Sequence, residues 1–233
     1  MCPAYYVGAY WGSRQESIED CAQRLCSFLR CAAGCSSYFS RWFLRGQSIR
    51  DALKHEVLAD VAFIRNLLTS GKHFNENLGF HVGLWNGVAD EAGTVGLSVT
   101  CGSSSPWVNN ACVINLPTLS ESSTHILQIS TLKALVICVA IAFDPDWCIL
   151  TSDVHLDILA TKDSDEPFAG WLLYLPSRHG MIPKPDMPAT AELIDGLGTL
   201  LVATTEPFDI ANPVHMAAAS AINAALKMQG LRS

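Results

Sequence analysis

Gly79-Phe80-His81-Val82-Gly83-Leu84-Trp85, Gly96-Leu97-Ser98-Val99-Thr100-Cys101 and Ala111-Cys112-Val113-Ile114-Asn115-Leu116 follow one another through the middle of the chain. Each segment is short and apolar or β-branched, and each is bounded by Gly, Asn, Ser or Pro, the pattern of a strand. Three strands in a row, with no helix between them, predict an antiparallel meander. A chain that alternated strand and helix would instead build a parallel sheet.

Towards the N-terminus, Tyr5 to Trp11 reads as a strand ending at Gly12. Ser13 and Glu16 have the spacing of a capping box. Ile18, Cys21, Ala22, Leu25, Phe28 and Leu29 then recur at helical spacing, predicting a first helix to about Ala33, stopped by Gly34. Residues 40–46 read as a connector. Ser48 and Asp51 cap a second helical region from about Ile49 to Thr69, with Val57, Val61, Ile64 and Leu68 as its buried stripe and Gly71 closing it.

Towards the C-terminus, Thr131 to Phe143 is apolar nearly all round and predicts a buried helix. Pro145 disfavours helix at Asp144 and ends it. Strands follow at Trp147 to Thr151, Gly170 to Leu175 and Gly198 to Thr205. The stretch with Pro176, Pro183, Pro185 and Pro188 reads as a surface loop. The Asp153-Val154-His155-Leu156-Asp157 run reads as a polar strand edge or a helix start. Asn212 as cap and Pro213 at the first helical position open a terminal helix to about Gln229, packed through Val214, Ala218, Ile222 and Ala225. The predicted order is β-α-α-β-β-β-α-β-β-β-α. This is an α+β protein, a single domain over residues 1–233, with a largely antiparallel sheet flanked by helices.

Composition narrows the function. Of the 233 residues 49% are hydrophobic and 16% charged, which excludes a disordered chain. The net charge of −7 argues against a protein that coats nucleic acid, since phosphate binding rests on Lys and Arg. The charge is unevenly spread. Residues 1–72 carry +3, residues 73–143 carry −3, residues 144–209 carry −9 and the tail +2. An acidic block of this kind either keeps a surface solvated or steers a basic partner to it. The longest charge-free apolar run, Ala134 to Phe143, falls short of the roughly 20 residues a bilayer span needs. With neither a basic n-region nor an apolar h-region at the start, the expectation is a cytoplasmic protein.

Chemistry-bearing motifs do not accumulate. Nine cysteines are present without a C-x-x-C, and Cys21, Cys26, Cys31 and Cys35 step round a helix by about 500° at spacings of five, so they share no face. An odd count in a cytosolic chain predicts free thiols, mostly buried, and no disulfide. His55-Glu56 begins a zincin motif, but Ala59 occupies the second His position. Gly96 to Thr100 lacks the second Gly of a nucleophile elbow. Neither a P-loop nor G-x-G-x-x-G is present. No cofactor and no metal are expected. A small hydrolase using Ser98, Cys101 or His155 is an alternative, as is an adaptor or scaffold for another protein.

Six blocks carry a resemblance. They are Tyr5 to Gly12, Phe39 to Phe43, Gly79 to Gly87, Leu97 to Gly102, Asp144-Pro145-Asp146-Trp147 and Gly170 to Leu175. In order and spacing the chain resembles the immunity protein 52 family of bacterial polymorphic toxin systems. The resemblance implies an α+β protein that binds and neutralises a cognate toxin. Such toxins are often type VI secretion effectors, and nucleases of restriction-endonuclease type are among the expected partners. It brings no catalytic residues. The Cys31-Ala32-Ala33-Gly34-Cys35 end of the first helix departs from the family pattern.

A nuclease grips phosphate with a basic cleft, so an acidic inhibitor can be steered into it. The loop acids Asp153, Asp157, Asp163, Asp165 and Glu166, with Lys162 as the one base among them, are therefore the expected partner-binding residues. Trp11, Trp42, Trp85, Trp147 and Trp171 are expected in the core. Asp146 is expected to cap a turn or pair with Arg41. No direct contact with nucleic acid or membrane is expected, and the oligomeric state is left open. The purified protein should contain no stoichiometric zinc by elemental analysis and should keep its melting temperature in chelator; stoichiometric metal would overturn the reading of the Cys and His spacings.

Overall fold

The structure is a computed structural model that describes residues 3–70, 72–75, 78–107, 109–121, 123–159 and 166–232. The strands in chain order are β1 (Ala4–Trp11), β2 (Trp42–Leu44), β3 (Glu56–Val57), β4 (Phe74–Asn75), β5 (Gly79–Trp85), β6 (Gly96–Cys101), β7 (Asn110–Thr118), β8 (Trp147–Ser152), β9 (Leu172–Pro176), β10 (Thr190–Ile194) and β11 (Gly198–Val202). The helices are α1 (Ile18–Ala33), α2 (Ile49–Ala52), α3 (Val61–Thr69), α4 (Ile129–Phe143), α5 (Asp153–Leu159) and α6 (Pro213–Met228). All eleven strands join one open antiparallel sheet in the order β10-β11-β9-β8-β1-β7-β6-β5-β2-β3, with β4 against β5. The meander of β5, β6 and β7 is present as predicted, and the architecture is α+β.

Register explains why the sheet holds. Leu84, Leu97, Ile114, Val7, Leu150, Leu172 and Val202 stand side by side across seven strands. The next row on the same face is Val82, Val99, Cys112, Ala9, Cys148, Tyr174 and Leu200. Every member of both rows is buried. Period-two alternation puts these residues on one face, so a one-residue slip would expose both rows together. The opposite face is divided. Gly83, Ser98 and Val113 lie half-exposed on it, whereas Ile149, Leu173 and Leu201 are fully buried. α6 buries Ala218, Ala219, Ile222, Ala225 and Leu226 in the core and is tied down where Asn223 Oδ1 accepts from the Ala169 N–H at 2.9 Å and Gln229 Nε2 donates to the His179 carbonyl at 2.8 Å.

α4 lies across the doubly rowed face against α1, β1, β8 and β9. Phe143 stacks on Trp11 at 5.5 Å and tilts against Phe28 of α1 at 5.8 Å. A helix leaves its last four carbonyls without intrahelical donors, and a buried end cannot leave them to water. Here arginines supply the donors. Arg24 Nη1 donates to the Ala142 carbonyl at 3.0 Å, Arg14 Nη2 to Phe143, and Arg14 and Arg178 each to Asp144 at 3.3 Å. Arg178 also donates to the Pro145 carbonyl. Cations at this end complement the helix dipole as well. Glu16, its side chain 6% exposed, pairs with Arg24 and lies 3.3 Å from Arg14.

Several expectations are corrected. Glu16 is drawn into that cluster, so the capping box of α1 is Ser17 with Asp20 rather than Ser13 with Glu16. The region 49–69 is not one helix. Asp60 accepts from the Phe63 N–H at 2.8 Å and starts α3 afresh, while Val57 and Glu56 pair with Trp42 and Phe43 of β2, inside the expected connector. Gly71 lies outside the described residues. After the prolines, 190–194 pairs with β11 and is an edge strand. Asp146 binds Arg178, with Nη2 to Oδ1 at 3.0 Å, and accepts from the Gly12 N–H at 2.9 Å, while Arg41 pairs with Glu56 at 2.8 Å. Trp11, Trp42 and Trp171 are core, but Trp85 and Trp147 are half-buried. Cys31 and Cys138 form a disulfide, contrary to the expectation of free thiols throughout. Their separation of 107 residues is why spacing could not reveal it.

α5 follows β8 without a break and is anchored by His155, which is buried between Phe208 at 5.1 Å and Phe168 at 6.5 Å and hydrogen-bonded to Thr151 Oγ1 at 2.9 Å. Burial holds this imidazole below the usual histidine range.

These contacts lead to two expected outcomes. Arg24→Met should lower the unfolding free energy by about 2 kcal/mol in denaturant titration, because it leaves the buried Glu16 carboxylate to Arg14 alone and removes the donor to the Ala142 carbonyl. Wild-type stability would refute the helix-end reading. For His155, the unfolded chain takes up a proton below about pH 6.5 that the native imidazole resists. Stability contributed by this site should therefore fall as pH drops from 7 towards 5.5. The difference between wild type and His155→Gln in urea midpoints should show that slope; parallel pH profiles would contradict it.

Candidate partner-binding surfaces

The expected acidic surface is only partly a loop. Asp153 and Asp157 belong to α5, Glu166 lies at the start of the next described segment and is half-buried, and Asp163 and Asp165 lie outside the described residues. Asp153 is occupied with the fold: its Oδ1 accepts from the Ala4 N–H at 3.1 Å and from the Val154 N–H at 2.7 Å. It fastens the start of β1 to the start of α5. Asp157, one turn on, is exposed.

Tertiary structure adds acids that the segment alone did not suggest. Asp209 and Asp153 both act on the Tyr5 phenol, whose pKa is pushed up to about 12 by burial first and by these two carboxylates next. The phenol donates to the Phe208 carbonyl at 2.9 Å, placing the 206–209 loop over this end of β1. Glu206 and Asp209 are exposed. Beside them opens a cleft of about 370 Å³ lined by Thr190, Thr204, Thr205, Glu206, Asn212 and His215, among others. The signal in the sequence was Glu206-Pro207-Phe208-Asp209 itself, placed 49 or more residues beyond Asp157 and so outside any local window.

The other edge of the sheet has the opposite character. Arg45, His55, Lys72, His73 and His81 line a cleft of about 620 Å³ beside the paired strands β2 and β5, and among the described residues Asp51 is the acid on its wall.

Catalytic candidates do not converge. Ser98 and Cys101 are an odd number of residues apart on β6, so Ser98 faces the half-exposed side and Cys101 the buried side. The Cys101 thiol is pushed far up by its hydrogen bond with Cys21 and by burial, and so is no nucleophile at neutral pH. His155 belongs to α5, wedged between Phe168 and Phe208. Among the described residues no group of three or more His, Cys, Asp or Glu side chains is placed to hold a metal ion. No helix of the described residues is long and apolar enough to cross a membrane.

With the geometry in hand, comparison with known proteins gives two findings. The solved structure of the Pseudomonas aeruginosa T6SS protein PA0821 superposes with a TM-score of 0.55 over 99% of this chain and 76% of that one, at 14% identity, a likeness of fold. No curated protein matches the sequence. The family model described as Immunity protein 52 matches residues 3–233, nearly the whole length, and the chain belongs to that family.

Proposed function

We propose that this protein is a non-catalytic inhibitor that protects its own cell by capping a toxin with a basic working cleft, a nuclease being the chemistry that fits. Membership of an immunity protein family supports the immunity role and implies a cognate toxin as partner. The observation that carries the charge argument is that Asp153 and Asp209 both act on the Tyr5 phenol, with the exposed Glu206 in the same loop as Asp209 and the exposed Asp157 one turn along α5 from Asp153. Asp163, Asp165 and Glu166 extend the same acidic run in sequence. A basic cleft evolved for phosphate meets this end favourably, and complementary charge can lift association from about 10⁵–10⁶ to 10⁸–10⁹ M⁻¹s⁻¹ at low salt. Speed matters when the toxin is active on arrival. Inhibition needs shape and charge only, in keeping with catalytic candidates that point apart.

The fold neighbour is a T6SS protein by name, which supports placing the toxin among effectors of that system. A nuclease effector acts where nucleic acid is, so the inhibitor works in the cytoplasm.

The test uses the toxin encoded by the neighbouring gene. Asp157→Asn, Glu206→Gln and Asp209→Asn together should fold normally, each exposed change costing no more than about 0.5 kcal/mol. The triple variant should associate with the toxin at least tenfold more slowly at low salt and show a flatter ionic-strength dependence, since rim charges act on the on-rate. Equal association rates would refute the acidic end as the docking surface and transfer the role to the basic cleft of Arg45 and Lys72.

A further inference from the structure

The end of α1 carries two cysteines four positions apart, Cys31 and Cys35, and the fold brings a third to them. Cys31 lies in the last turn of α1 and is bonded to Cys138 on α4. α1 stops at Gly34, whose N–H donates to the Cys31 carbonyl at 3.0 Å, and the Cys35 N–H donates to Ala32 at 2.9 Å. This tight turn carries Cys35 back over the helix end. Its Sγ then stands 3.6 Å from Cys138 Sγ and 3.7 Å from the Cys31 carbonyl oxygen. Two cysteines four positions apart therefore straddle one sulfur. Cys138 is buried, whereas Cys31 and Cys35 are both half-exposed. The remaining described cysteines, Cys21, Cys26, Cys101, Cys112 and Cys148, are buried.

We propose that Cys31, Cys35 and Cys138 form a thiol–disulfide exchange site, in which Cys35 displaces Cys31 from Cys138. The Cys35 thiol gives its proton to water and the thiolate attacks Cys138 Sγ. The Cys35–Cys138 bond forms as the Cys138–Cys31 bond breaks, and the electron pair leaves on Cys31, which takes up a proton. One disulfide is consumed and one is made, so no oxidant is required. Either bond ties the end of α1 to α4. The buried sulfur is common to both, and the two half-exposed sulfurs alternate as its partner. Intracellular disulfides are typically of this transient, exchanging kind. Burial raises the Cys35 thiol, so exchange accelerates about tenfold per pH unit while the thiol remains mostly protonated.

Disulfide mapping decides it. Wild type, Cys31→Ser and Cys35→Ser are equilibrated with oxidised glutathione, quenched in acid, blocked with N-ethylmaleimide and digested, and the linked peptides are fragmented in the mass spectrometer. Cleavage between Ala33 and Gly34 assigns the linkage. Cys35→Ser should show only Cys31–Cys138 and Cys31→Ser only Cys35–Cys138, with no free Cys138 in either. Wild type should contain both linkages, reaching their final ratio faster at pH 8.5 than at pH 7. A folded Cys31→Ser protein that leaves Cys138 open to maleimide would overturn the proposal. So would wild type holding Cys31–Cys138 alone at every pH, a reading that does not depend on any variant folding.

Discussion

The C-terminal end of α4 is the point on which the structure depends. A helix that is apolar on every side can be buried, but its last carbonyls go with it into the interior. Arg14 from the link into α1, Arg24 from α1 itself and Arg178 from just beyond β9 converge to satisfy them, and Glu16, Asp144 and Asp146 balance the charge. That cluster fixes where α4 ends, and so where β8 begins beside β1. It also holds the chain entering α1, because Arg14 and Glu16 lie in the link from β1. Lower on the same pair of helices, Cys31 and Cys138 give a second tie. The two helices are therefore tied to each other at two points, by Arg24 on the Ala142 carbonyl and by the disulfide.

The division of the opposite sheet face has a functional side. Ile149, Leu173 and Leu201 are buried on one half of it, while the Asp209 N–H donates to His215 of α6 and Phe208 packs on His155, which brings the 206–212 loop beside α5. The acidic end is thus assembled from two segments some fifty residues apart, both seated on rigid elements. A surface preorganised in this way loses little conformational freedom on binding, which favours affinity in an inhibitor that has no chemistry to contribute. The basic cleft beside β2 and β5 sits towards the far edge of the same sheet.

Local patterns settled much of the fold from the sequence. The meander, the buried helix before Asp144 and the terminal helix opened by Asn212 and Pro213 occur where periodicity and capping residues put them, and the first helix follows its periodicity although its cap is Ser17 rather than Ser13, because each depends on neighbours within a turn or an alternating run. The failures also have local causes. Val57, Val61, Ile64 and Leu68 fit a helical stripe, yet Val57 is claimed by Trp42 across a strand pair and Asp60 caps α3 as a separate helix. Thr190 to Ile194 has too little alternation to stand alone and is a strand only because β11 offers it a free edge.

The sequence by itself determined the class of the protein: α+β, acidic towards its C-terminal half, without a metal or nucleophile motif, and with six blocks in the order of an immunity protein family. Which side chains meet was decided only by the tertiary structure. Asp146 finds Arg178 rather than Arg41, Cys31 finds Cys138 across 107 residues, and Asp153, still exposed, accepts from the first residue of β1 and from Val154 of α5. Spacing along a chain fixes periodicity, which is a property of neighbours, whereas pairing is fixed by the register and crossing of elements far apart in sequence. The acidic end obeys the same division: its sign is written in composition, and its shape arises where the 206–209 loop closes over Tyr5.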